Sequence, residues 1–176
     1  MKYLLILAAL TGFFSFGQIN LKTEKSSMII AGTSSLHDWK MSVEDFDVSG
    51  AIVDNQVQNL KVAVVAKSMK SGKSIMDGKA YDAVKADDYP TILFSAEKLS
   101  IQGDKVTGKG TLEIGGESRA IDLDAKILKN QGSEMQLTGS VPLKMTDFNI
   151  SPPTAMFGTL KTGDEITINY DILITK

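Results

Sequence analysis

The sequence has 176 residues, 43% hydrophobic and 23% charged, a composition typical of one globular domain that excludes a disordered chain. It contains no cysteine, which excludes a disulfide framework, a thiolate metal site and a cysteine nucleophile. The formal net charge is −2, so nothing in the overall charge favours nucleic acid or an anionic membrane as a partner.

Residues 1–17, MKYLLILAALTGFFSFG, combine a positive start, an apolar segment and a small-x-small site, as a secretory signal peptide does. We predict cleavage after Gly17, which leaves one domain of residues 18–176 with 18 basic and 21 acidic residues. The alternative is a membrane anchor, but the apolar run is shorter than the ~20 residues that a spanning helix needs. We therefore expect a periplasmic or secreted protein with no stable membrane span.

Most of the chain alternates between apolar and polar residues with a period of two, which predicts half-buried strands. Gly- or Asn-bearing turns separate these strands, and we count eight to ten of them in all. The predicted strands cover about 46–52, 60–66, 92–101, 105–114, 118–128, 134–145 and 166–174, with 92–145 forming an antiparallel meander. Because each strand has one wet and one dry face, the sequence predicts an all-β fold in which the sheet closes into a barrel of about eight strands.

One segment, Gly72–Lys85, has helical spacing instead, with Ile75, Met76, Ala80, Tyr81 and Val84 on the apolar face. Ser74 is the predicted N-cap, and Pro90 ends the helical region before the next strand. We expect this short inserted helix to cover one end of the barrel, a position compatible with a lid-like role.

Two glycines, Gly108 and Gly110, share one face of a predicted strand. Close packing against a neighbouring strand is the favoured explanation, and room for a ligand is the alternative.

The residue spacings in this sequence do not match known catalytic or metal-binding motifs. Gly72-Lys73-Ser74 lacks the earlier glycine of a phosphate-binding loop, because that position is Lys67. His37 is the single histidine, and its neighbour Asp38 would point to the opposite face of a strand, so we expect a residue of the mouth or surface and no catalysis. The acidic residues Asp77, Asp82, Asp87 and Asp88 match no calcium loop and are interpreted as a solvated helix face.

Trp39 is interpreted as a core residue, with the lining of an opening as the alternative.

Several motifs together resemble the YceI-like family, also described as lipid- or polyisoprenoid-binding. They are Ser68–Gly72, the helix 77–88, YPTILF at 89–94, Val106–Ile114, Gly116–Leu123, the pair Asp147-Phe148 and Gly163–Ile168. The combination of YPTILF with a later GKGTLEIGG is specific, and the resemblance covers about residues 20–175. The segment Gly32–Trp39 departs from the family's usual pattern.

The resemblance implies an elongated, lipocalin-like antiparallel barrel that is exported and holds a long isoprenoid lipid, without a cofactor or metal. Nucleic acid is not an expected partner, and a homodimer is left open. The cavity-lining residues predicted from the alternating rows are Val62, Val64, Phe94, Leu112, Leu123, Leu137, Val141, Ile168 and Tyr170. The competing hypotheses are an exported stress-response or structural module that acts through protein partners without lipid, and an enzyme for lipid head groups that uses His37 or Asp147.

Overall fold

The computed structural model describes residues 17–18, 20–21, 25–155 and 157–175, and within these it consists of antiparallel strands with one α-helix. The strands are β1 Gly17–Gln18, β2 Asn20–Leu21, β3 Ser27–Ser34, β4 Trp39–Val43, β5 Phe46–Val53, β6 Gln56–Val65, β7 Met69–Lys70, β8 Thr91–Gln102, β9 Lys105–Ile114, β10 Glu117–Gln131, β11 Glu134–Lys144, β12 Thr154–Ala155 and β13 Leu160–Thr175. The helix α1 spans Ser74–Ala83, and short 3₁₀ turns span Ala66–Ser68 and Met145–Phe148. The predicted signal peptide lies almost wholly outside the described residues and stays a prediction.

All the strands belong to one curled sheet in which neighbours are antiparallel. Its order is β1-β5-β6-β8-β9-β10-β11-β13-β3-β4-β7, and β2 and β12 also pair with β13. The strands next to the two ends of this path are linked covalently, because β4 runs into β5 through only Glu44 and Asp45. The predicted all-β barrel of about eight strands is confirmed, since eight of the described strands have at least eight residues.

The predicted meander corresponds to β8–β11, and β9 occupies 105–114 as expected. Turn chemistry explains this agreement. Gly115 and Gly116 both have positive φ, at 58° and 83°, and so do Asp54 and Asn55, at 48° and 58°. Tight hairpins with two such residues match the twist of the strands they connect.

The helix is inserted where expected, but the predicted cap is wrong. Ser74 is the first helical residue, and Lys73 occupies the N-cap position without a side-chain hydrogen bond. Asp77 instead connects the helix to the preceding loop, because its Oδ1 accepts hydrogen bonds from the Ser71 amide at 2.7 Å and the Ser71 hydroxyl at 2.6 Å. Asp77 is therefore buried and not part of a solvated face. Ile75 is also misassigned, because it is 80% exposed.

The core lines the inside of the curled sheet and extends under α1. One buried cluster includes Leu99 and Val106, and a second one, around Leu112 and Phe148, lies beside the 3₁₀ turn 145–148. Met76, Ala80, Tyr81 and Val84 of the helical segment pack against the first cluster. The helix thus covers one end of the barrel interior, as the sequence predicted.

Candidate functional site

The inward-facing rows of the strands enclose a deep cavity of about 160 Å³. Its walls are apolar apart from the phenol of Tyr170. All nine predicted wall residues line it: Val62, Val64, Phe94, Leu112, Leu123, Leu137, Val141, Ile168 and Tyr170. Alternation therefore assigned the faces of these strands correctly. That these side chains contact a ligand stays a prediction.

A second, wider space of about 640 Å³ lies between α1 and the barrel, and we call it the mouth. Met28, Val64, Ile92 and Ile168 line both spaces, so the mouth adjoins the deep cavity across a shared apolar wall. A space of several hundred Å³ is typical of a ligand site.

The apolar lining of the two spaces extends along one strand. Along β13, Ile166 lines the mouth, Ile168 lines both spaces, and Ile172 and Ile174 line only the deep cavity. A strand rises about 3.3 Å per residue, so the apolar lining from Ile166 to Ile174 follows roughly 26 Å of strand. Such a shape fits a linear chain better than a compact ligand.

Three aromatic rings lie against glycines in the wall. A Cβ atom at Gly32 would overlap the Trp39 ring, one at Gly110 would overlap Phe94, and one at Gly139 would overlap Tyr170. Gly32 and Gly139 directly face their aromatic partners across the sheet.

The glycines thus leave room for the aromatic rings that line the interior, and we call these three glycine positions seats. A Cβ atom at Gly108 would approach Leu99 Cδ2 at 2.8 Å, so this glycine also serves close packing. This supports the packing explanation for Gly108 and Gly110. Because these glycines have no side chains, the rings can lie close to the wall and leave the middle of the barrel open.

The Tyr170 hydroxyl is buried over Gly139 and has no hydrogen-bond partner within the described part of the chain. Burial in apolar surroundings, with a smaller contribution from the negative charge of Asp124, raises the pKa of Tyr170 to about 12. This phenol is therefore neutral and unreactive at physiological pH.

The rim of the mouth carries the polar residues. His37 lies at the mouth, in the loop between β3 and β4 and not in a strand, and its Nδ1 is 2.8 Å from the Asp38 carbonyl oxygen. Trp39 is half-buried, lines the mouth and donates from Nε1 to the Thr33 carbonyl at 2.9 Å, so the alternative interpretation of Trp39 applies. Asp147 is exposed and lines neither space.

No catalytic arrangement is seen among the described residues. The contacts of His37 are with backbone and with the Ser34 hydroxyl, which accepts from the His37 amide at 3.2 Å and donates to its carbonyl at 2.7 Å. No group of three or more His, Asp or Glu residues suited to a metal occurs in the described ranges.

The polar side of α1 holds the helix over the barrel. Lys70 Nζ donates to Tyr81 Oη at 2.6 Å, and Tyr81 Oη donates to the Met69 carbonyl at 2.9 Å. The hydrogen bond with Tyr81 raises the pKa of Lys70 despite some desolvation. The hydroxyl and amide of Ser71 lower the pKa of Asp77. These bonds fix both ends of the helix's contact with β7.

A scan of the described residues found no helix that is both long and apolar enough to cross a membrane.

Comparison with known proteins agrees with this geometry. The family model for the YceI-like domain matches residues 19–174. The chain belongs to the YceI-like family. The match covers nearly all the residues that the structure describes in this YceI-like protein.

Three solved structures illustrate the shared fold. BcnA of Burkholderia cenocepacia is 17% identical with a TM-score of 0.73, covering 87% of this chain and 98% of its own. A polyisoprenoid-binding domain from Saccharophagus degradans, implicated in plant cell wall breakdown, is 10% identical with a TM-score of 0.67, covering 89% and 97%. The YceI protein of Campylobacter jejuni is 23% identical with a TM-score of 0.63, covering 77% and 84%. The search of curated proteins found no match.

The strands β3 and β4, with the mouth residues that they carry, were not among the predicted strands. Met28 and Ile30 on β3, and Trp39, Met41 and Val43 on β4, all line the mouth. The signal was present only in β4, which alternates with period two but has just five residues. In β3 the run from Met28 to Ala31 is continuously apolar, so alternation does not identify the strand.

Proposed function

We propose that this YceI-like protein is an exported, non-catalytic carrier of one long apolar lipid of the polyisoprenoid class, such as an isoprenoid quinone or its polyprenyl precursor. The observation that carries the proposal is the continuous apolar lining from the mouth to the deep cavity. A relative whose printed description is a polyisoprenoid-binding domain supports the class of cargo.

The apolar walls suit a hydrocarbon chain because they offer burial without fixed charges. Burying about 400 Å² of such a chain at ~25 cal/mol/Å² contributes on the order of 10 kcal/mol before the costs of association. Ordering a flexible chain and losing translational freedom offset a large part of this gain. Tyr170 lies with its hydroxyl against Gly139, so the deep wall presents carbon surface to the cargo.

The leader-like residues 1–17 support export, and the absence of cysteine is compatible with an oxidising compartment. A polyisoprenoid is almost insoluble in water. A closed apolar interior would let it cross an aqueous compartment without aggregating.

The test is mass spectrometry of an organic extract of the full-length protein, purified under native conditions. A pair of variants makes it specific. Leu123→Trp adds a large ring inside the deep cavity, while Ala120→Trp adds the same ring at an exposed position of the same strand. We expect a polyisoprenoid from the wild type and from Ala120→Trp, and much less from a folded Leu123→Trp.

An extract without lipid from repeated preparations would overturn the carrier proposal. If a protein instead co-purified in fixed ratio, the alternative of an exported module that acts through protein partners would replace it.

A further inference from the structure

Three large hydrophobic side chains are far more exposed than the others in the described part of the chain. Phe157 is fully exposed, Ile75 is 80% exposed and Leu36 is 66% exposed, whereas the next, Leu128, is 52% exposed. The three come from separate segments: the loop after β3, the first turn of α1 and the loop between β12 and β13. The loop after β3 and α1 contribute His37 and Ile75 to the mouth, and the strands that flank the third loop contribute Thr154 and Leu160.

Hydrogen bonds hold these segments side by side. The Ser35 amide donates to the Lys161 carbonyl at 2.9 Å, and the Lys161 amide donates to the Ser35 hydroxyl at 3.1 Å. On the other side, Lys79 Nζ donates to the Thr154 carbonyl at 2.8 Å and ties α1 to β12. The segments that carry the three exposed side chains therefore meet around one opening.

The same opening has a local positive charge that the net charge of −2 conceals. Lys73, Lys79 and Lys161 line the mouth, whereas no aspartate or glutamate lines it. None of the three lysines forms an ion pair with a described carboxylate. Three acidic residues occur on the loop after β3 and on α1, and none of them lines the mouth: Asp38 and Asp82 are exposed, and Asp77 is buried and accepts hydrogen bonds from Ser71.

We propose that this face, the mouth rim, docks on the surface of an anionic lipid bilayer. The mouth rim consists of Leu36, Lys73, Ile75, Lys79, Phe157 and Lys161. Exposed apolar side chains clustered at one site mark an interaction surface, and apolar tips flanked by lysines suit the boundary between acyl chains and head groups. The lysine stems can extend along that boundary while the ammonium groups meet lipid phosphates.

A bilayer fits this rim better than a protein partner, because its apolar side chains are three single residues, two from loops and one from the first turn of α1, and lysines accompany them at the mouth. The position adds a second argument. The rim surrounds the opening of an apolar interior, so docking would bring the mouth against the acyl chains. The inference goes beyond the proposed function, because the rim can bind vesicles whether or not the cavity holds cargo.

The test is flotation of the full-length protein with two kinds of vesicle, phosphatidylcholine alone and phosphatidylcholine mixed with phosphatidylglycerol. We expect binding to the mixed vesicles, weakening as salt rises, and little binding to phosphatidylcholine alone. Trp39, the single tryptophan, lines the mouth and reports docking through quenching by brominated lipids.

Two sets of substitutions separate the charge from the apolar tips. Replacing the three lysines by glutamine should weaken binding to mixed vesicles by about fivefold per lysine. Replacing Leu36, Ile75 and Phe157 by serine should weaken binding to mixed vesicles at least about tenfold, because apolar insertion is lost. Circular dichroism verifies that each variant is folded.

The matched controls are Leu128→Ser and Lys126→Gln, which alter exposed residues of β10 away from both spaces. The proposal is overturned if the wild type does not float with mixed vesicles, or if the controls lose as much binding as the rim variants. A lipid found in organic extracts would still support the carrier proposal in either case, so the two failures are distinguishable.

Discussion

Alanine at Gly139 tests whether the glycines of the wall are seats for aromatic rings. A Cβ atom there would lie 2.5 Å from Tyr170 Cζ, whereas non-bonded carbons prefer about 3.5–4.0 Å. The ring must therefore move by about 1 Å or more, and the open side available to it is the deep cavity. The same substitution should thus destabilise the fold and narrow the lumen.

The magnitude follows from two opposing effects. Overpacking a well-packed site costs about 1–3 kcal/mol. Replacing glycine by alanine in a strand recovers roughly 0.5–1 kcal/mol, because the unfolded chain loses freedom. We expect a net loss of about 1–2 kcal/mol in the free energy of unfolding.

Urea unfolding followed by circular dichroism measures this loss, with Gly78→Ala as the control. Gly78 lies inside α1, and a Cβ atom there meets nothing within 4 Å. Gly78→Ala should therefore stabilise the protein by about 0.5–1 kcal/mol. If Gly139→Ala proved as favourable as Gly78→Ala, or if Tyr170→Leu failed to relieve its cost, the seat explanation would be refuted.

Three further predictions concern single groups. Tyr170→Phe removes an unpartnered buried hydroxyl, so unfolding measurements should show no loss, or a gain of up to about 1 kcal/mol. A loss well above that would mean that the hydroxyl has a stabilising partner. Leu99→Ala should cost about 2–5 kcal/mol because this core residue is 1% exposed, while Leu128→Ala should cost far less. The pKa of Asp77 is lowered, mainly by the Ser71 hydroxyl, so its contribution to stability is complete above its ordinary value of 3.8 and is lost as the pH falls through the lowered value. Asp77→Asn should therefore lower the melting temperature at neutral pH and make little difference well below pH 3.8, and an equal effect at both would contradict this.

The sequence predicts the strands of the meander and the nine wall residues well, because both depend on local rules. Period-two alternation assigns each side chain to a face, and turn residues such as Gly115 and Asn55 set the limits of the strands. When a sheet curls, the inward-facing side chains of its strands surround one space, so residues far apart in sequence line the same cavity.

The features that were missed depend on contacts between elements. Asp77 accepts a hydrogen bond from Ser71, a loop residue six positions earlier. The spacing of residues on a helix does not predict that contact. Close packing at Gly110 was predicted, but that Phe94 packs there, and that Tyr170 packs on Gly139, requires knowledge of which aromatic ring lies on a neighbouring strand. The net charge does not reveal the positive mouth rim, because its lysines come from two segments far apart in the sequence, α1 with its N-cap and β13.

Native mass spectrometry of the purified full-length protein tests the central claim most directly. An open apolar interior predicts one polyisoprenoid bound per chain, present in the wild type and in Ala120→Trp and largely lost from Leu123→Trp. A bare polypeptide mass in repeated preparations, with no uptake when a polyprenol is added, would contradict the account.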